Sequence, residues 1–230
     1  MLADKQKEPV REVKKFPGIM FFMDMRFIRN NLILLTLIWM TVSFNIAMLM
    51  MQVKQMPGDF ETNMLAMSCS DIPAAIFAGF MVRQGFRPKI LIAYYALFSG
   101  LAALSMVLCV DIQNSGIEMP ILTAFAKMGC IATYKTLYLA HPDFFPTLFA
   151  VTSIGIANLG ARAFTIGAPL VAEIDYPRPM ILFCSLQVIT VISALWVNDD
   201  TKEIQKVDKK LSKQLARNES SEVLPRQKTL

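Results

Sequence analysis

Apolar residues along this chain come in long blocks rather than in the short alternations of a soluble fold. Six blocks approach or exceed the ~20 residues needed to cross a ~30 Å hydrocarbon layer as a helix: 31–51, 62–82, 90–110, 121–140, 148–170 and 179–197. The breaks between them have a physical cause. They hold Met56-Pro57-Gly58-Asp59, the basic hairpin Arg83-Gln84-Gly85-Phe86-Arg87-Pro88-Lys89, the polar stretch 111–120, His141-Pro142-Asp143 and Tyr176-Pro177-Arg178-Pro179. Proline and glycine mixed with charge do not continue a lipid-exposed helix. The pattern predicts an all-α polytopic membrane protein with six transmembrane helices over 31–197, a polar segment over 1–30 and a basic tail over 198–230.

Composition agrees. Of 230 residues, 54% are apolar and 18% are charged, against roughly 25% charged in a soluble domain. Despite a net charge of +5, this excludes a disordered chain or a soluble nucleic-acid binder, and the first partner is the lipid bilayer. Cys69, Cys109, Cys130 and Cys184 are scattered through apolar blocks and read as small hydrophobes. A single histidine, His141, gives no basis for a metal centre. No nucleophile–base pairing or phosphate loop is present either, so neither an enzyme nor a cofactor is expected. The sixteen methionines read as adaptable packing.

Orientation follows from Lys and Arg. Seven lie in the first 30 residues, three in the 83–89 hairpin and eight beyond residue 197, whereas the opposite side has only Lys54 and Arg178. Both termini are therefore expected on the cytoplasmic side, or the matrix side in a mitochondrion. The first residues lack the apolar core of a signal peptide and carry acids unsuited to a transit peptide. Asn218-Glu219-Ser220 matches a glycosylation triplet on the wrong side to be used.

Ionisable residues inside spans are costly and point to function or to pairing. Asp71, Lys127 and Arg162, with the polar Asn45, fall on four different spans. At ~1.5 Å per residue they lie about 13, 10, 12 and 9 Å from the side opposite the termini. One polar layer is the expectation, either a substrate cavity of net positive character or a closed bundle in which Asp71 pairs with Lys127 or Arg162. Lys135 is near enough to the inner end to reach the headgroups. The third and sixth spans carry no ionisable residue and are expected to face lipid. Gly155, Gly160 and Gly167, with Ala157, Ala161 and Ala168, are expected to permit close helix approach.

Asp143-Phe144-Phe145-Pro146-Thr147, followed by Gly155, Arg162 and Pro169, resembles the Glu-Leu-Phe-Pro-Thr…Gly…Arg…Pro signature of the organic cation/anion transporter family, within the major facilitator superfamily. Ala126-Lys127-Met128-Gly129 resembles that family's basic position in its tenth helix. Ser70-Asp71-Ile72-Pro73 resembles Glu-Leu-Pro in its eighth, Gly85-Phe86-Arg87-Pro88 a decayed Gly-Arg-Arg-Pro hairpin, and Trp39 a tryptophan of its seventh. The resemblance covers roughly 32–197. It implies the C-terminal six-helix half of such a transporter, and only 30 polar-leaning residues precede the first span, so the N-terminal half is not expected in this chain. By resemblance, Lys127 and Arg162 contact an anionic substrate or its counter-charge. The departures are Ala150, Val82 and Phe86 where the family has an arginine, an acid and an arginine. Their loss implies that the rocking switch is no longer maintained.

In the tail, Asn198-Asp199-Asp200 reads as a helix start. Ile204, Val207, Leu211 and Leu215 then form a stripe one residue wide, expected on a solvated helix. From Asn218 onward the composition is that of a disordered segment. The expected function is that of a degenerate half-transporter serving as a structural or accessory subunit among other membrane proteins. The alternative is a transporter of small organic ions, working as two copies or with a separate N-terminal half. A charged interior facing lipid is costly, so a partner is required in both cases. The resemblance points to the plasma membrane, and the subunit reading allows the mitochondrial inner membrane.

Overall fold

The structure is a computed structural model that describes residues 25–55, 60–109, 118–175, 177–199, 204–209 and 212–213. The rest of the N-terminal segment, the breaks at 56–59 and 110–117, and tail residues Asp200, Leu211, Leu215 and everything from Asn218 lie outside the described residues. In order along the chain, α1 is Arg26–Gln52, α2 Phe60–Cys69, α3 Asp71–Arg83, α4 Pro88–Cys109, α5 Glu118–Ala140, α6 Thr147–Thr165, α7 Ala168–Ala172 and α8 Arg178–Trp196. No strand occurs among the described residues. Among the described residues, four helical stretches are long and apolar enough to cross a membrane: Arg26–Gln55, Phe60–Arg83, Pro88–Leu108 and Arg178–Trp196. The fourth and fifth blocks also form helices, of 23 and 19 residues in α5 and α6, and carry Lys127, Lys135 and Arg162.

Helix α1 is the hub, packing against α5, α6, α7 and α8, while α4 lies between α5 and α8 and α3 leans on α5. Its inward residues Leu35, Ile38, Trp39 and Val42 join Phe144, Phe145 and Phe149 in one apolar cluster. Phe44, Met48 and Leu49 join Met67, Met180 and Phe183 in another. Helix α4 turns Ile90, Tyr94, Leu97, Leu101, Leu104 and Leu108 outward at alternating three- and four-residue intervals, the stripe expected of a lipid-facing helix. Exposed apolar surface is not confined to the third and sixth spans, however. The second span is the least covered of the four long ones, with Leu65, Ile72 and Ile76 outward, and α6 exposes Val151 and Leu159.

Small residues set the closest approaches, the tightest of them outside the fifth block. A Cβ on Gly129 would lie 2.7 Å from Ser99 Cβ and 2.8 Å from the Tyr95 carbonyl oxygen, so α5 and α4 meet backbone to backbone there. Gly160 meets Thr36 and Met40 of α1, whereas Gly155 has nothing within 4 Å. Beside Gly129, Gln187 of α8 donates its Nε2 to Ser99 Oγ (3.0 Å) and Cys130 Sγ (2.8 Å), and Ser99 Oγ donates to the Ala126 carbonyl (2.6 Å). Thr41 and Thr190 hydroxyls meet at 2.7 Å between α1 and α8. Without a hydrophobic drive between helices in lipid, such contacts hold a bundle together.

At the hairpin end, Asn31 Nδ2 donates to the Asn198 carbonyl (2.8 Å) and Asn198 N–H donates to Asn31 Oδ1 (3.1 Å). Lys89 pairs with Asp199 at 2.6 Å. The tail is not simply solvated. A short helix over 204–209 returns to the bundle with Ile204 buried and Val207 against the main core. Asp208 Oδ1 accepts from the Thr147 N–H (3.2 Å) and Oγ1 (3.4 Å). The residue before α6 is Pro146, which offers no capping oxygen, so a carboxylate from the tail takes that role.

Gly129→Ala is expected to lower stability by at least the ~1–3 kcal/mol typical of overpacking, because the obstructing atoms include backbone. Gly79→Ala, in α3 with open space around it, is expected to be neutral or to stabilise by up to ~1 kcal/mol. Thermal unfolding in detergent compares the two.

Candidate functional site

The second span is not one helix. Pro73 has no N–H to offer the carbonyl four residues earlier, and the helix breaks at Ser70 into α2 and α3. The Met67 carbonyl accepts from Ser70 Oγ (2.6 Å) and from Lys127 Nζ (3.0 Å). Lys127 Nζ also lies 2.9 Å from Asp71 Oδ1, with the lysine side chain 3% and the aspartate 45% exposed. The ammonium thus sits at the negative end of α2, and the carboxylate in the first turn of α3, at its positive end. Each charge is matched to a helix dipole as well as to the other charge. The helix of the fifth apolar block is interrupted too, at Ile166-Gly167 between α6 and α7, with Pro169 in the first turn that follows.

The other two residues of the anticipated layer are placed differently. Asn45 is sealed within the bundle, and neither its Oδ1 nor its Nδ2 has a hydrogen-bond partner. Arg162 is exposed on α6, close enough to Tyr134 to interact with it electrostatically. Beside it lies an aromatic group missed in the sequence apart from Trp39. Trp39 stands edge-on to Tyr138 (4.4 Å between centroids) and Tyr134 (5.1 Å). Tyr138 OH donates to Asn158 Oδ1 at 3.4 Å. The signal was present, since Tyr134 and Tyr138 are one turn apart on the helix of Lys127.

Of the signature residues, Asp143, Pro146, Thr147, Gly85 and Arg87 lie at the hairpin end, whereas Gly155 is within α6 and Pro169 in α7. Asp143 and Thr147 are exposed and Pro146 is buried beside Phe144 and Phe145. Gly85 has φ +81°, the left-handed conformation that ends α3. Arg87 is exposed, and its carbonyl accepts the Ile90 and Leu91 N–H groups at the start of α4. His141, buried against Trp39 and Phe145, shares a 2.8 Å hydrogen bond with Ser153 Oγ, which itself donates to the Ala150 carbonyl. His141 Nε2 is therefore the protonated nitrogen, and burial lowers its pKa to about 4. Among the described residues no group of three or more His, Cys, Asp or Glu could hold a metal.

No protein-family model matches the chain. Among curated proteins, "Organic cation/carnitine transporter 2" of Rattus norvegicus is 24% identical over 174 residues, 74% of this chain and 31% of the relative. The Homo sapiens protein of that name is 24% identical over 173 residues, 74% of this chain and 30% of the relative. "Solute carrier family 22 member 4" of Mus musculus is 26% identical over 208 residues, 84% of this chain and 37% of the relative. The chain thus spans about a third of the length of the relatives it matches. It resembles organic cation transporters of the major facilitator superfamily and is a transporter-like membrane protein.

Asp71→Asn leaves a sealed ammonium with carbonyl partners only and is expected to cost about 3 kcal/mol. Lys127→Met is expected to cost less, because Asp71 is half-exposed, and the double substitution should recover most of the loss in a double-mutant cycle of melting. His141 binds its proton more weakly folded than unfolded, where its pKa is near 6.5. Stability should therefore fall as pH drops from about 6.5 towards 4, by up to about 3 kcal/mol. His141→Gln should flatten that part of the stability profile.

Proposed function

We propose that this chain forms one six-helix body of a transport pathway for small organic ions, completed by a second body on the same or another polypeptide. The observation that carries the reading is the pair of interrupted spans. The second and fifth are equivalent positions of two three-helix repeats, and interrupted segments in corresponding positions mark a substrate site. The paired Lys127 and Asp71 lie at the first interruption, and Arg162 lies on the helix leading into the second. In this reading all six helices cross the bilayer, and the basic hairpin and both termini face the cytoplasm. The outward apolar faces of the second and fifth spans meet the second body.

The substrate class follows from the exposed group. Tyr134 and Tyr138, backed by Trp39, suit an organic ammonium, and the Arg162 guanidinium suits a carboxylate. A zwitterion carrying both is the best match, in keeping with relatives named for organic cations and carnitine. A second reading, a structural subunit packed against other membrane proteins or a second copy, is favoured by the hairpin end. There Phe86, Val82 and Ala150 stand in place of charges, and an amide pair and a docked tail hold the elements together.

Native mass of the solubilised protein with its co-purifying chains, followed by uptake of labelled carnitine into proteoliposomes of that particle, separates the readings. Transport predicts uptake that Arg162→Ala reduces at least about tenfold with particle mass unchanged. No uptake, and a large particle of unrelated subunits that Lys127→Ala with Arg162→Ala disperses, would establish the scaffold instead.

A further inference from the structure

A groove of about 480 Å³ runs between α3, α4 and α5, away from the Arg162 face. Its walls include Phe77, Met81, Phe86, Ile90, Tyr94 and Phe98. Of its polar atoms, the Tyr95 hydroxyl is already donated to the Phe77 carbonyl at 3.3 Å. From Ile90 to Phe98 it follows α4 for about 12 Å, from the hairpin end towards mid-membrane. The hairpin that supplies Phe86 to the wall also carries Arg87, the next residue, and Arg83, which ends α3 two residues beyond Met81. Both are exposed, and among the described residues no carboxylate pairs with either. The hairpin's remaining cation, Lys89, is already held by Asp199.

An apolar groove walled at one end by a hairpin that carries two unpaired arginines suits an amphiphile with an anionic head. We propose that it is a binding site for an anionic phospholipid, with one acyl chain lying along Tyr94 and Phe98 and the phosphate held by Arg83 and Arg87. Guanidinium groups hold phosphate oxygens through paired hydrogen bonds, and basic pockets between transmembrane helices on the cytoplasmic side take lipid headgroups. Two departures from the transporter pattern favour the site. Phe86 supplies apolar wall where the family has an arginine, and Val82 leaves the hairpin without the acid that would compete for its guanidiniums. The site does not depend on whether the chain transports anything.

The test is native mass spectrometry of the full chain titrated with palmitoyl-oleoyl phosphatidylglycerol or with phosphatidylcholine of the same chains. Preferential retention of phosphatidylglycerol is expected, and Arg83→Gln with Arg87→Gln should reduce it at least about tenfold. Lys54→Gln, the same loss of charge at the opposite end, should leave it unchanged. Phe86→Glu alters an exposed position without touching either arginine and should also weaken phosphatidylglycerol; melting temperatures in detergent confirm that each variant is folded. Equal retention of the two lipids would overturn the proposal. So would a preference that survives both the arginine and the Phe86 substitutions. Displacement of the lipid by millimolar glycerol phosphate would also overturn it, by showing a site for the headgroup alone.

Discussion

A lysine ammonium sealed from solvent needs acceptors from the protein itself, and the break in the second span supplies them. The helix breaks at Ser70, the carbonyl of Met67 in the last turn before the break takes the Lys127 ammonium, and the helix that restarts at Asp71 brings its carboxylate to within 2.9 Å of the same nitrogen. In hydrocarbon a freed backbone carbonyl costs several kcal/mol, and a bare ammonium costs more. Each satisfies the other's requirement. The position of α5 against α2 and α3 depends on this joint, and through α5 so does the placement of Tyr134 and Tyr138 beside Arg162.

The rest of the bundle is held by neutral groups at close range. Thr41 with Thr190, Gln187 with Ser99 and Cys130, and Asn31 with Asn198 each link helices far apart in the sequence. Between α4 and α5 the absence of a side chain at Gly129 permits the contact. The surfaces left bare are apolar on most sides, with the polar exception around Arg162. The bundle therefore offers two unlike faces, a polar aromatic one and a greasy groove beneath the basic hairpin.

Block length and breaker residues made the helices legible, because a membrane span leaves a signal that local propensity does not override. Asp71 and Lys127 stood out as costly in lipid, and their pairing was one of the two outcomes the sequence allowed. Gln187, Asn31 and Gly129 did not stand out. A lone amide or glycine in an apolar run looks the same whether it meets a neighbour or not, and only the crossing of helices decides. The glycines of the fifth span show the converse. Gly160 is in contact and Gly155 is not, although their surroundings in the sequence are alike. Asp208 was overlooked because its partner, the N-terminus of α6, lies 61 residues away.

The Asn31–Asn198 clasp also sets an order of events. The two residues are 167 positions apart, and at roughly 5–20 residues per second a ribosome needs about 10–30 s to make the second after the first. Throughout that interval the Asn31 side-chain oxygen, on a residue that ends almost fully buried, lacks its Asn198 N–H donor and must be satisfied by water or by the insertion machinery. Helix α1, made before the other described helices, is thus among the last of them to be secured, and this end of the bundle closes only when α8 is in place.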